Sequence, residues 1–165
     1  MKQIYIKKTK ESYLNLCRLN ISKEPFFKVW SAYAFEAVCI KHIDCILKSL
    51  EINNMAGEIG TWYHRSYKKS DTSGAQIDLV IDRNDNSINI CEIKYSNNIF
   101  TIDKEYAKKL LNKISVFEEQ TKTNKQVFLT MITTNGIKKN MWSEDLVHSE
   151  IVLDNFLVRS NQKLH

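Results

Sequence analysis

Proline occurs once and glycine four times in 165 residues, against typical usages of about 5% and about 7%. That scarcity points away from low-complexity linkers and from collagen-like or disordered classes, so most residues must lie in helices or strands. Uninterrupted apolar runs stop at four residues, as in Ala32–Phe35 and Ala37–Ile40, far below the roughly 20 that cross a bilayer. No membrane partner is expected. The basic first residues are followed by no apolar stretch with a small-residue cleavage site, so no secretory signal is expected either. Cys17, Cys39, Cys45 and Cys91 form no CxxC pair and no histidine stands at finger spacing, which argues against zinc and against a disulfide scaffold. Reduced thiols in a cytoplasmic protein are the expectation. Arginine is scarce too, at four residues against 20 lysines. Because arginine dominates bidentate base reading, this disfavours sequence-specific groove recognition more than contact with a phosphate backbone.

The chain does hold enough apolar residues, 43%, for one domain with a proper core. Its net charge of +5 lies at one end: residues 1 to 30 hold seven Lys or Arg against Glu11 and Glu24, and the rest holds 17 of each sign. The expected organisation is a basic segment over 1–20, a single domain over 21–158 and a tail over 159–165. Residues Tyr13–Leu19 could form a short helix. A longer one runs from an N-cap at Ser22, with Pro25 in its first turn, to about Leu50. Ile59–Arg65 reads as a strand, Tyr67–Gly74 as a loop, and Gln76–Asp82 with Ile88–Tyr95 as a hairpin joined by five turn-forming residues. Tyr106, Leu110, Leu111, Ile114 and Phe117 recur at helical spacing within Asp103–Gln120, Val127–Thr133 reads as a returning parallel strand, and Leu146–Leu157 holds a further short strand or a strand and a helical turn. The pattern predicts an α/β fold, a mixed sheet with helices on both faces.

Four polar residues stand where apolar ones are expected. Val29, Tyr33, Glu36, Ile40, Ile43 and Leu47 fall on one helical stripe, with Glu36 the single charge among them. A buried carboxylate costs several kcal/mol unless it is satisfied; an edge position, with Glu36 reaching water or a basic partner, is the plain alternative. On the hairpin, period-two counting puts Ile77, Leu79 and Ile81 on one side and Gln76, Asp78, Val80 and Asp82 on the other. Glu92 and Lys94 share a face of the second strand, and Asp78 can join them. An ordinary ion pair on a solvated sheet is the alternative here, but a crossover helix covers much of this sheet. Two acids so placed repel unless a cation lies between them, and Mg²⁺ takes oxygen ligands. Lys94 then has the task of positioning a water and offsetting charge on a phosphoryl oxygen, with Glu36 as a further carboxylate for the ion, which is the chemistry of phosphodiester hydrolysis.

Asp78, then 13 residues, then Glu92-Ile93-Lys94 resembles the D…ExK motif of the PD-(D/E)xK nuclease superfamily, with Ile77 in place of the familiar proline. Trp30-Ser31-Ala32-Tyr33-Ala34-Phe35-Glu36, Gly74 to Asp82 and the strand through Ser96 resemble the C-terminal nuclease-like domain of a bacterial group of AAA-type ATPases, a likeness spanning roughly 20–158. Ala32 stands where that group usually has glycine, and no G-x-x-x-x-G-K occurs in this chain. The resemblance implies a restriction-endonuclease-like core and a DNA phosphodiester hydrolase acting on duplex or branched DNA. Asp78 and Glu92 would be Mg²⁺ ligands, with Mn²⁺ able to substitute, Glu36 a further metal acid and the Ile93 backbone carbonyl another donor. Lys94 would be the water-orienting catalytic residue. Gln76, Lys68 and Lys69 before the hairpin, and Lys104, Lys108 and Lys109 after it, would contact DNA. An AAA-type ATPase domain and a second copy of the chain are the implied protein partners. The rival expectation is a non-catalytic DNA-binding or protein-interaction module that retains the nuclease fold.

Overall fold

Alternating apolar residues build the strands of this protein, and apolar residues three and four apart build its helices. A computed structural model describes residues 24–65 and 74–154. The basic segment 1–20, Ser22, Lys68, Lys69 and the tail 159–165 lie outside the described residues. The elements are α1 (Glu24–Lys41), α2 (Ile43–Ser49), β1 (Ala56–His64), β2 (Ala75–Arg83), β3 (Ser87–Lys94), α3 (Lys104–Thr121), β4 (Gln126–Thr133), α4 (Met141–Leu146) and β5 (Ser149–Val152). They form a mixed α/β fold around one five-stranded sheet in the order β1-β2-β3-β4-β5. The β1–β2 and β2–β3 pairs are antiparallel, and the β3–β4 and β4–β5 pairs are parallel. Since parallel neighbours need a crossover, α3 lies between β3 and β4. Asp103 caps it, accepting a hydrogen bond from the Tyr106 amide at 2.8 Å.

Helices cover both faces. Cys91 and Ile132 pack with Phe35 and Cys39 of α1 and with Ile46 and Leu47 of α2. Their sequence neighbours point the other way: Ile90 packs with Phe117, and Met131 with Ala107 and Leu110, all on α3. Among the described residues no helix is long and apolar enough to cross a membrane.

Three local expectations are corrected. The long first helix breaks at His42, which has φ −107° and ψ 35°, so α1 and α2 are separate. The stripe that α1 buries is also not the expected one: Val29, Tyr33 and Ile40 are 46–54% exposed, and Ser31, Phe35 and Cys39 are buried instead, with Ile46 and Leu47 buried beyond the break. The hairpin connection is also tighter than five residues. Arg83 and Ser87 belong to the strands, leaving Asn84, Asp85 and Asn86, the last in the left-handed region at φ 62°. Finally, Ile77 does not share a face with Leu79 and Ile81, because a β-bulge intervenes, as described below.

Phe117 ties α3 to the sheet, packing on Ile77, Ile88 and Ile90 and edge-on against Trp62 of β1, with ring centroids 5.2 Å apart. Phe117→Ala is expected to lower the unfolding free energy by about 3–5 kcal/mol. Urea unfolding followed by far-ultraviolet circular dichroism checks this, and a loss below about 1 kcal/mol would contradict the packing assigned to α3.

Candidate functional site

The strand carrying Asp78 is irregular at that residue. Along β1 the partners Gly60 and Trp62 are two residues apart, but their β2 partners, Val80 and Ile77, are three apart. One extra residue is thus accommodated on β2 at Asp78–Leu79, a β-bulge that changes which way the side chains point. Its effect shows in the packing. Ile77 and Val80 lie in the cluster under α3, whereas Leu79 and Ile81 lie in the cluster under α1 and α2.

The β2–β3 ladder runs out at the same place. Leu79 opposite Cys91 is the last described pair, and beyond it the Ile93 amide donates to Asp78 Oδ2 at 2.9 Å. A side-chain carboxylate has taken the place of a backbone acceptor. On β3 the alternation is regular, so Glu92 and Lys94 face α3 together. Glu92 is 8% exposed; its Oε1 accepts from the Tyr106 hydroxyl at 2.6 Å, and its Oε2 is ion-paired with Lys113. Lys94 extends over two aromatic rings instead, its Nζ 5.6 Å from the Phe100 centroid and 5.1 Å from that of Tyr106.

Electrostatics joins these groups to α1. Burial and the Glu92 charge push the Asp78 carboxyl up from 3.8 to about 6, opposed by the Ile93 amide and Lys113, with Glu36 adding a smaller upward push. Burial, then the Glu36 charge, raise the Cys39 thiol to about 12. Burial and Glu92 likewise hold the Tyr106 hydroxyl well above its ordinary range, so it remains a donor. The structure therefore brings Asp78, Glu92 and Lys94 to one end of the β2–β3 pair, with Glu36 near enough to act on Asp78 through its charge. Among the described residues, however, no three His, Cys, Asp or Glu side chains stand close enough together to hold a metal ion.

Two open recesses flank this end. One, of about 500 Å³, is lined by Lys28, Ala32, Tyr95, Asn97, Asn98 and Phe100. The other, of about 470 Å³, includes Trp62, Tyr63, Arg65 and Gln76. Gln76 is exposed, as are Lys104, Lys108 and Lys109, and Lys108 pairs with Glu105 at 3.2 Å. Tyr106 and Lys113 are the site residues that the sequence analysis does not single out, Tyr106 counting there only as one of the apolar positions of this helix. The signal was there: Tyr106, Leu110, Lys113 and Phe117 follow i, i+4, i+7 and i+11 spacing, which places a lysine on the buried stripe.

An aspartate with its pKa raised on folding binds its proton more tightly folded than unfolded. Asp78 thus costs no stability below its unfolded pKa of 3.8, and its penalty grows as pH rises toward about 6 and is complete above that. Asp78→Asn keeps an acceptor for the Ile93 amide and removes the charge. At about pH 7.5 it is expected to be more stable than the parent by about 1–3 kcal/mol, and near pH 4 by almost nothing. Urea unfolding at both pH values checks this, and a variant less stable than the parent at the higher pH would contradict the charge balance described.

Residues 4–114 match the model of DUF234, a family described as archaea bacterial proteins of unknown function. The matched stretch contains Glu36, Asp78, Glu92, Lys94, Tyr106 and Lys113, and it ends within α3. No curated protein and no solved structure matches the chain. Because the family match covers more than half of the 165 residues, the chain belongs to this archaeal and bacterial family.

Proposed function

We propose that the chain is a metal-dependent DNA phosphodiester hydrolase domain of the PD-(D/E)xK type, using Mg²⁺ or, in its place, Mn²⁺. The observation that carries this reading is the meeting of Asp78 and Glu92 where the β2–β3 ladder opens, with Lys94 on the same strand face as Glu92. The mixed sheet with helices on both faces supports the reading, since the sequence resemblance implies a core of that class.

The donor set fits a hard divalent ion. Both acids offer oxygen, and Asp78 is short of positive charge, since burial and Glu92 raise it despite Lys113 and the Ile93 amide. Asp78 and Glu92 would hold the ion, with the Ile93 carbonyl as a further donor and Glu36 as an outer acid acting from α1. Such an ion supplies Lewis-acid stabilisation of a phosphoryl oxygen when it is bound. The chain's own part is positional. Phe100 and Tyr106 hold the Lys94 ammonium by cation–π contact on the Glu92 face, where it can orient a water and offset developing charge. Lys28 in one flanking recess and Arg65 in the other supply positive charge for a nucleic acid backbone. Exposed Gln76, Lys104, Lys108 and Lys109, together with Lys68 and Lys69, are proposed as outer contacts. An AAA-type ATPase domain and a second copy of the chain are the proposed protein partners.

A second reading, a non-catalytic DNA-binding or protein-interaction module, draws on the finding that both Glu92 oxygens already have protein partners. Cleavage of duplex, branched and single-stranded DNA in Mg²⁺ or Mn²⁺ separates the two. The hydrolase reading expects cleavage of at least one substrate. It further expects Lys94→Ala to cut about 100-fold more slowly or worse while still binding DNA. Cleavage by Lys94→Ala at the parent rate removes the role given to that lysine. Absence of cleavage on every substrate with either ion favours the module.

A further inference from the structure

The two lysines near Glu92 are placed very differently, and the difference has a chemical consequence. Lys94, two residues away on the same strand face, rests on the Phe100 and Tyr106 rings. Lys113 reaches in from α3 to ion-pair with Glu92 Oε2, while Tyr106, seven residues earlier on the same helix, donates to Oε1. One helix face thus grips both oxygens of a carboxylate that the sheet holds still.

Exposure is unequal across this pair. The Glu92 side chain is 10% exposed and that of Lys113 is 26%. The space beside them, lined by Ile77, Ile90, Leu110 and Ile114, amounts to only about 10 Å³, barely enough for one water. Asp78 does not line this space, so a divalent ion would reach Glu92 from the Asp78 side, and an ammonium and a divalent ion sharing one shielded carboxylate would repel strongly. Glu92, fixed in β3 and covered, cannot leave. Lys113, at the end of a flexible stem with a route to solvent, can.

We infer that Lys113 is an internal counter-ion which competes with the divalent cation for Glu92, so that the ion binds only as the Lys113 ammonium swings out toward solvent. Lys113 is then a positioning residue that sets how much free divalent ion the site requires, a task separate from that of Lys94. The inference rests on the reading that Asp78 and Glu92 hold a divalent cation.

Calorimetric titration of the chain with MnCl₂ tests it, using the parent, Lys113→Met, Lys113→Gln and Asp78→Asn. Lys113→Met, which keeps the stem and removes the charge, is expected to bind Mn²⁺ about tenfold more tightly than the parent. Lys113→Gln, which retains a donor to Glu92, is expected to fall between the two. Without the ammonium Glu92 is uncompensated, so Lys113→Met should melt lower than the parent in chelator and recover more of its melting temperature on addition of Mn²⁺. If Lys113→Met does not fold, the Lys113→Gln comparison decides, with the same direction required. Equal or weaker Mn²⁺ binding by the Lys113 variants, with Asp78→Asn abolishing the parent's binding, overturns the inference and leaves the metal site standing. If neither the parent nor the Lys113 variants bind Mn²⁺, the inference and the metal site fall together.

Discussion

A β-strand normally sends successive side chains to opposite faces, and in a sheet covered on both sides each position is committed to one core or the other. The bulge at Asp78–Leu79 breaks that commitment at one point. It lets Ile77 and Val80 fill the α3 side while Leu79 and Ile81 fill the α1 side, leaving Asp78 between the two packings. There its carboxylate, not a backbone carbonyl, receives the Ile93 amide. With regular alternation, Asp78 would be assigned wholly to one face. The irregularity brings it under the influence of charges from both, Lys113 on one side and Glu36 on the other.

The polar groups at this end of the sheet come from separate elements and are supported in different ways. Asp78 depends on the opened ladder, Glu92 on two side chains of α3, and Lys94 on two aromatic rings. Because Asp103 caps α3 and Phe117 packs on the sheet further along, the positions of Tyr106 and Lys113 are fixed at two points of one rigid helix. The crossover helix is therefore more than cover for the parallel half of the sheet, since its orientation determines the environment of Glu92.

Much of this was legible in the sequence, and what was not has physical causes. The hairpin, α3 and the shared face of Glu92 and Lys94 followed from spacing, because β3 is regular and buried on both sides, and α3 has a single apolar stripe. Helix α1 misled because it is apolar nearly all round. Its exposed Val29, Tyr33 and Ile40 show as strong a periodicity as its buried Phe35 and Cys39, and composition alone cannot say which stripe faces inward. Glu36 thus stands on a stripe whose other α1 members, Val29, Tyr33 and Ile40, are exposed, although its charge does act on Asp78. The His42 break and the bulge are hidden for a related reason: neither has a glycine or proline to mark it. Lys113 escapes notice because a lysine on a helix that already carries Lys104, Lys108 and Lys109 reads as surface. The test that singled out Glu36, a charge on an apolar stripe, would have found it on the stripe of Tyr106, Leu110 and Phe117.

The charge balance of the site gives its two lysines different partners. A carboxylate as covered as Glu92 must have a partner at all times, because an uncompensated buried charge costs several kcal/mol. Lys113, not Lys94, fills that role. Placing Lys94 on Phe100 and Tyr106 instead keeps the ammonium close to Glu92 at a lower cost in desolvation, since an aromatic face attracts a cation without neutralising it. That arrangement is stable only while another cation satisfies Glu92, and Lys113 does so. Tyr106 serves both lysines, donating its hydroxyl to the acid that Lys113 pairs with while presenting its ring to Lys94. A change at Tyr106 would therefore disturb both ammonium groups directly, whereas a change at Lys113 would reach Lys94 only through the uncompensated Glu92.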